Sequence, residues 1–430
     1  LNIGVVPNLE RGGGGIYQYA VTLVSVLPEI LGDDDELTVF LYGGESLPDD
    51  LAALPLRCIE MRSERGLAGA LWYRWAALFP EGIRRGIRRM LGRKDDIRAT
   101  GSADLVRDLD SLVDPRWQEF FADHSIDLLI FTTDVDLAYR TGVPFVVAIH
   151  DIQHRLQPEF PEVSADGEWE RREFRIGNCV RHAVGVLVDS EVGREDVMEA
   201  YAPSDAAVSI VPFIPASYLR ETVSPDQARQ VRHSLGLPHR FLFYPAAFWP
   251  HKNHLRIVEA IAELRCDGLD VPIVFVGPSG APKLREDTFA EAMAASQVLG
   301  TGDLVNYLGY VDDATMSVLY SEAAALVMPT FFGPTNIPVV EAFKFGCPVI
   351  TSDIRGIREQ VRDAAALVDP RSVASIAQGI RRVFEDRAYA EELRAAGYRH
   401  LESYSREDYC DRLKVALSRA RVRVKAQATR

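Results

Sequence analysis

The 430-residue chain is 47% hydrophobic and 26% charged, a composition that fits a folded globular protein and excludes a disordered or collagen-like one. Its net charge of −14 argues against general nucleic-acid binding, because a polyanion would be repelled on average. The length exceeds one ordinary core and suits two domains, and no apolar run approaches the ~18 residues needed to span a bilayer.

In chain order, 3–6 reads as a short buried strand rather than the apolar centre of a signal peptide. Arg11 and the four glycines Gly12, Gly13, Gly14 and Gly15 form a loop ahead of a helix at 16–30. Asp33, Asp34, Asp35 and Glu36 read as a solvated turn. Further strands are expected at 37–42, 126–132, 143–149, 184–188 and 208–211. Their apolar runs lack the alternation of a one-sided sheet, as expected when helices cover both faces. Asp134 and Asp136 have the spacing of a metal-binding pair, but a cap or turn is the better reading, and no essential metal is expected. Pro212, Pro215 and Pro225 mark a linker.

One segment breaks the acidic trend. Residues 62–98 hold ten basic side chains against four acidic ones, a net of +6, interleaved with Trp72, Trp75, Phe79, Ile83, Ile87 and Met90. Such a stripe suits either contact with an anionic membrane surface or packing on a core with a solvated basic face. The second half repeats the strand pattern at 241–244, 273–276, 305–308, 325–328 and 349–351, and beyond 370 the chain is helical. The basic run Arg419, Arg421, Arg423, Lys425 reads as a frayed, solvated tail. The five dispersed cysteines show no metal spacing and read as reduced thiols of a cytoplasmic protein, with Cys347 a small core residue.

The candidate chemistry gathers where strands end. The glycine loop lets backbone pass close to a ligand, and the helix start behind it favours negative charge. His150-Asp151 closes the 143–149 strand; a histidine there can donate to a sugar hydroxyl, Asp151 can orient it or cap the following segment, and His154, Arg155 and Gln157 in the same loop are candidates to meet an acceptor. An isolated strand-end histidine is more often structural. Lys252, just before a helix, is placed to neutralise a diphosphate. The run from Pro329 to Glu341 joins a strand to a helix opening near Pro338, and Thr335, Asn336 and Ile337 can present N–H groups to hydroxyls there. Glu341, one turn inside, can point back into the same crevice.

The spacing of Pro329, Pro338, Glu341 and Ala342, followed by Gly346-Cys347-Pro348-Val349-Ile350-Thr351-Ser352-Asp353 and Ala365-Ala366-Leu367-Val368-Asp369-Pro370, resembles retaining nucleotide-sugar glycosyltransferases of family four. The resemblance is dense over 244–370 and looser elsewhere. It implies an α/β GT-B fold: two doubly wound, Rossmann-like domains facing each other across a deep crevice. The expected divisions are 1–215 on the acceptor side, 216–400 binding the nucleotide sugar, and 401–430 crossing back to the first domain with a helix at 405–417.

The resemblance further implies that His150 sits at the reaction centre and Lys252 on the phosphates. Gly13 and Gly14 face donor and acceptor, Tyr310 and Val311 lie near the base, and Glu341 meets the ribose. Two positions depart from the family. Gly333 stands where a sugar-holding glutamate is usual, and Ala247 where an arginine is; His251 or another cation could replace the latter. The expected activity is transfer of a hexose, with GDP-mannose the first donor to test, to a glycan or polyprenyl-linked acceptor in surface-polysaccharide synthesis. No cofactor is expected beyond the nucleotide-sugar co-substrate. The protein would be cytoplasmic, or peripheral on the inner face of the membrane through 62–98. Two alternatives stay open: a non-catalytic protein of the same fold that binds a nucleotide sugar or a partner transferase, and a nucleotide-sugar epimerase.

Overall fold

The computed structural model describes all residues except 11–13, 33, 62–106, 217, 218, 220–222, 403, 429 and 430. Gly12, Gly13 and the basic segment 62–98 therefore lie outside the described residues, apart from Gly14 and Gly15 at the end of the glycine loop.

Two parallel sheets organise the chain. The first contains β1 (Asn2–Val6), β2 (Glu36–Tyr42), β3 (Arg57–Met61), β4 (Leu128–Phe131), β5 (Phe145–Ala148), β6 (Gly185–Val188) and β7 (Val208–Ile210), in the order β3-β2-β1-β4-β5-β6-β7. The second contains β8 (Leu242–Pro245), β9 (Ile273–Val276), β10 (Val305–Tyr307), β11 (Ala325–Met328), β12 (Val349–Ser352) and β13 (Ala365–Val368), in the order β10-β9-β8-β11-β12-β13. These are two Rossmann-like domains of a GT-B fold. Central strands such as β4, β5, β6 and β11 are buried at every position, which is why their sequences are unbroken apolar runs. Edge strand β3 is mostly exposed, and its mixed sequence carries no such run.

In each sheet the strand order reverses once, between β1 and β4 and between β8 and β11. Ligand crevices form at such reversals, outside the carboxyl ends of the strands. The loops that leave β8 and β11 thus stand side by side at one reversal.

The helices that shape the site are α1 (Gly15–Ile30), α2 (Glu168–His182), α3 (Glu191–Tyr201), α4 (His254–Cys266), α5 (Ile337–Lys344) and α6 (Arg406–Ala428). Helix α6 leaves the second domain and lies against α1 and β6 of the first, where Tyr409, Leu413, Ala416, Leu417 and Ala420 join the core around β1. The basic run Arg419–Lys425 is thus helical rather than frayed, and the helix runs eleven residues past the expected end at 417. The acidic turn is its counterpart. Asp35 is not solvated: its side chain is only 5% exposed and pairs with Arg421 at 2.6 Å. Arg423 donates to the Val184 carbonyl, and Arg406 pairs with Glu29.

Among the described residues, no helix is long and apolar enough to cross a membrane.

Candidate active site

The loops at the carboxyl ends of β5 and β6 face those after β8 and β11, and hydrogen bonds bridge them. Gln157 Nε2 donates to the Phe331 carbonyl at 3.0 Å, and Thr335 Oγ1 donates to Asp189 Oδ2. The His251 N–H donates to Glu162 Oε1 at 3.0 Å, and its ring Nδ1 meets the same oxygen at 2.7 Å. Farther out, Glu359 accepts from the first N–H groups of α3, and Arg355 pairs with Asp196 and Glu195. The two domains are drawn together.

On the second domain, Lys252 ends a short turn after β8. The next residue, Asn253, has φ of +65° and donates through Nδ2 to the carbonyls of Pro329 and Pro370, both at 2.8 Å. That side chain ties the β8 loop to the β11 loop. Thr330 Oγ1 and the Phe331 N–H donate to the His251 carbonyl, completing the tie. Lys252 Nζ makes no hydrogen bond among the described residues. Burial lowers its pKa to about 8, opposed by Asp151 and Glu162 across the domain boundary. His251 is no spare cation for the arginine absent at Ala247. Burial lowers its pKa below the usual histidine value, despite Glu162, and its ring is already engaged. Arg285 instead lies over the Trp249 ring at 5.1 Å in the same loop region.

Helix α5 starts at Ile337 with Pro338 in its first turn. Asn336 precedes it, its N–H donating to Gln360 Oε1 at 2.9 Å and its carbonyl accepting from Gln360 Nε2 at 2.8 Å. Its own amide Nδ2 is buried with no partner among the described residues. Glu341 is 1% exposed; it accepts from Tyr320 Oη at 2.6 Å, while Oε1 has no partner among the described residues. Burial raises its pKa to about 7 against that bond and Lys344. A buried acceptor without a donor is costly, and a ligand hydroxyl would satisfy it. Gly333 has φ of +130°, a backbone region open essentially to glycine alone, and an added Cβ would lie 3.0 Å from Asn336 Nδ2. Its turn is incompatible with a glutamate held in this loop shape.

The first domain brings His150 and Asp151 to the same place. His150 Nε2 lies 2.9 Å from the Thr132 carbonyl, and the ring packs edge-on against Tyr19 at 4.8 Å. Nε2–H is therefore committed, which leaves Nδ1 to meet a ligand. Asp151 accepts from the Gln153 N–H and pairs with Arg172. Burial pushes its pKa up, but Arg172, that N–H and the two nearby histidines outweigh burial and hold it down.

Gly14 has φ of +56° and precedes α1; Gly15 behind it sits 3.5 Å, measured from an ideal Cβ, from Ile337 Cδ1. The starts of α1 and α5 therefore meet. Tyr310 is 71% exposed on the loop after β10, while Val311 packs against the core of its domain.

Two expected acceptor residues are placed elsewhere. His154 is fully buried and bonds Glu173 of α2 at 3.0 Å, and Arg155 pairs with the same carboxylate. Burial opposes it, but His154 and Arg155 bring Glu173 down to about 2, and Tyr201 Oη also donates there. The cluster braces the loop from behind and seals His154, while Arg155 keeps about 32% of its side chain exposed. Asp134 and Asp136 are likewise spoken for, by Arg175 at 2.6 Å and by Tyr139 Oη. Among the described residues, no group of three or more potential ligands could hold a metal ion. Asp189 and Glu162 were not anticipated. Asp189 had a legible sign: Asp189-Ser190 ends β6 just as His150-Asp151 ends β5. Glu162 had none, since only folding brings it to His251.

Residues 228–400 match the family model described as Glycosyl transferases group 1. That stretch belongs to the group 1 glycosyl transferases. Its span covers β8 to β13 with both candidate donor loops, and the family is one of transferases that use nucleotide-sugar co-substrates. The O-antigen chain mannosyltransferase B of Escherichia coli is 25% identical over 61% of this chain and 67% of its own length. A glycogen synthase of Mycobacterium tuberculosis is 32% identical over 65% of this chain and 64% of its own. The aligned stretches thus span about two thirds of these curated relatives. Among solved structures, a sucrose-phosphate synthase of Thermosynechococcus elongatus superposes over 100% of both chains with a TM-score of 0.68 and 18% identity. The HepE protein of Anabaena, bound to UDP and glucose, covers 100% of this chain and 99% of its own with a TM-score of 0.65 and 16% identity. At those identities the likeness speaks for the fold.

Proposed function

We propose that the protein is a retaining glycosyltransferase that moves a hexose from a nucleotide-diphosphate sugar to a hydroxyl of a glycan or lipid-linked glycan. The observation that carries this reading is Lys252: a crowded ammonium without a hydrogen bond among the described residues, at the sheet reversal between β8 and β11, facing two carboxylates of the other domain. A diphosphate supplies the direct hydrogen-bond acceptors that such a group lacks. Glu341, with its unpartnered Oε1, would take the ribose hydroxyls, and the start of α5 would meet the phosphates.

In the reaction, the bond between the anomeric carbon and the phosphate oxygen breaks and its electron pair leaves on the diphosphate. Lys252 and the α5 N–H groups bear on the charge that develops there. The acceptor oxygen attacks the same face of the sugar, and its proton passes to the departing phosphate oxygen. His150 would stand beside the reacting carbon and steer a sugar hydroxyl through Nδ1. The contacts between the domains would exclude water and disfavour hydrolysis.

The mannosyltransferase relative favours GDP-mannose as the first donor and a surface polysaccharide as the product. The basic and aromatic composition of 62–98 supports an acceptor met at an anionic membrane surface. One observation favours a binding protein without turnover: Gly333 leaves the loop no carboxylate of its own for the sugar.

Titration of the protein with UDP, GDP, ADP, dTDP and CMP, followed by turnover of the matching sugars, tests the reading. A thermal shift by one nucleotide that is abolished in Lys252→Ala, with turnover of its sugar, supports the transferase. Binding without turnover supports the non-catalytic alternative, and no binding at all defeats both.

A further inference from the structure

Asp189 lies at the carboxyl end of β6 and is 4% exposed. Two hydroxyls donate to it: Ser190 Oγ to Oδ1 at 3.0 Å, and Thr335 Oγ1 to Oδ2. Burial raises its pKa to about 6, against those bonds and the His150 ring nearby. A buried carboxylate served by neutral hydroxyls is a costly arrangement, and a valine–leucine pair of similar shape would be cheaper to bury. Here it joins the two domains beside His150.

The segment that Asp189 grips has divided allegiance. Thr335 bonds the first domain, and Ile337 packs into the core of that domain and against Gly15. Asn336 between them is held by Gln360 of the second domain, and α5 belongs to the second sheet. Gly333, with its glycine-only backbone, brings no side chain that could fix the turn. The Asp189–Thr335 bond is thus the polar link that sets the reaction-side half of this loop.

We propose that Asp189 is a positioning residue of the donor-sugar site, holding Thr335 so that the 333–336 loop faces His150 when the domains are together. The inference rests on the transferase reading. The nucleotide end of the donor, at Lys252 and Glu341, lies on the second domain and does not need this bond. Loss of Asp189 therefore acts on transfer of the sugar and spares the binding of the nucleotide.

The test uses the full chain and its Thr335→Val, Thr335→Ser, Asp189→Ala and Thr335→Val/Asp189→Ala variants. Each is titrated with the nucleoside diphosphate that binds the wild type and assayed with the matching nucleotide sugar. Thr335→Val and Asp189→Ala are each expected to lower kcat about tenfold, as for one hydrogen bond to a charged group. Nucleotide Kd should stay within about twofold, the double variant should be no worse than either single one, and Thr335→Ser should restore the rate. Thr335→Val keeps the shape of the side chain and guards against misfolding of Asp189→Ala. Unchanged kcat, additive losses, or a rise of Kd and a fall of Tm in step with the loss of kcat would overturn the proposal while the transferase reading stands. A wild type that turns over none of the sugars overturns both.

Discussion

Tyr320 donates a 2.6 Å hydrogen bond to Oε2 of Glu341, and the other oxygen of that buried carboxylate, Oε1, has no partner among the described residues. One donor for a carboxylate so deeply buried is too little to keep it ionised, so its pKa rises to about 7. The chain holds an acid that titrates near neutrality where the ribose of a nucleotide is proposed to sit.

That acid makes stability depend on pH. The folded state keeps the Glu341 proton to about pH 7, whereas the unfolded chain loses it near 4.5. The folded state therefore binds more protons in this window, and stability falls as pH rises through it, by about 1.4 kcal/mol per unit at most. Glu341→Gln should flatten the decline, so that its urea midpoint overtakes that of the wild type above pH 7. Parallel curves for the two proteins would refute this assignment.

Lys252 behaves oppositely. Its folded pKa of about 8 lies below the 10.5 of the unfolded chain, so stability rises between pH 8 and 10.5 as the buried charge is lost. Nucleoside diphosphate affinity should fall over the same range, by about tenfold per unit above pH 8 if the ammonium is required. Lys252→Met should be at least as stable as the wild type at pH 7 and bind no diphosphate. Calorimetry across pH 6 to 10 measures both.

Gly333 invites an attempt to restore a carboxylate, and the backbone predicts its failure. At φ of +130°, with Asn336 3.0 Å from an added Cβ, Gly333→Ala should cost about 1–3 kcal/mol. Gly333→Glu should cost as much and bring no gain in turnover. Chemical denaturation and the donor assay give the two readouts.

Helix α6 should be part of the first domain's stability. Leu413 is fully buried against that domain, and Leu413→Ala should cost about 2–5 kcal/mol. Asp35→Asn, which weakens the hold on Arg421, should cost about 1–3 kcal/mol. A Leu413→Ala protein that unfolds at the wild-type midpoint would show that α6 is dispensable.

The sequence by itself determined the alternation of buried strands and helices, because a strand covered on both faces must be apolar throughout. It also determined which loops leave the carboxyl ends, and so placed His150 at that edge of the first sheet and Lys252 and the 329–341 run at that edge of the second. It did not determine partners. Whether Arg421 is a frayed tail or the mate of Asp35, 386 residues away, depends on where α6 docks. His154 and Lys252 both sit beside a loop in the sequence, yet one is sealed behind Glu173 and the other has an ammonium with no hydrogen bond among the described residues. Asp189 stands at a strand end in the sequence, but its partner Thr335 comes from the other domain. Local sequence sets periodicity, burial pattern and caps; the charge state and accessibility of a side chain depend on what long-range packing puts against it, and that is decided by the tertiary structure alone.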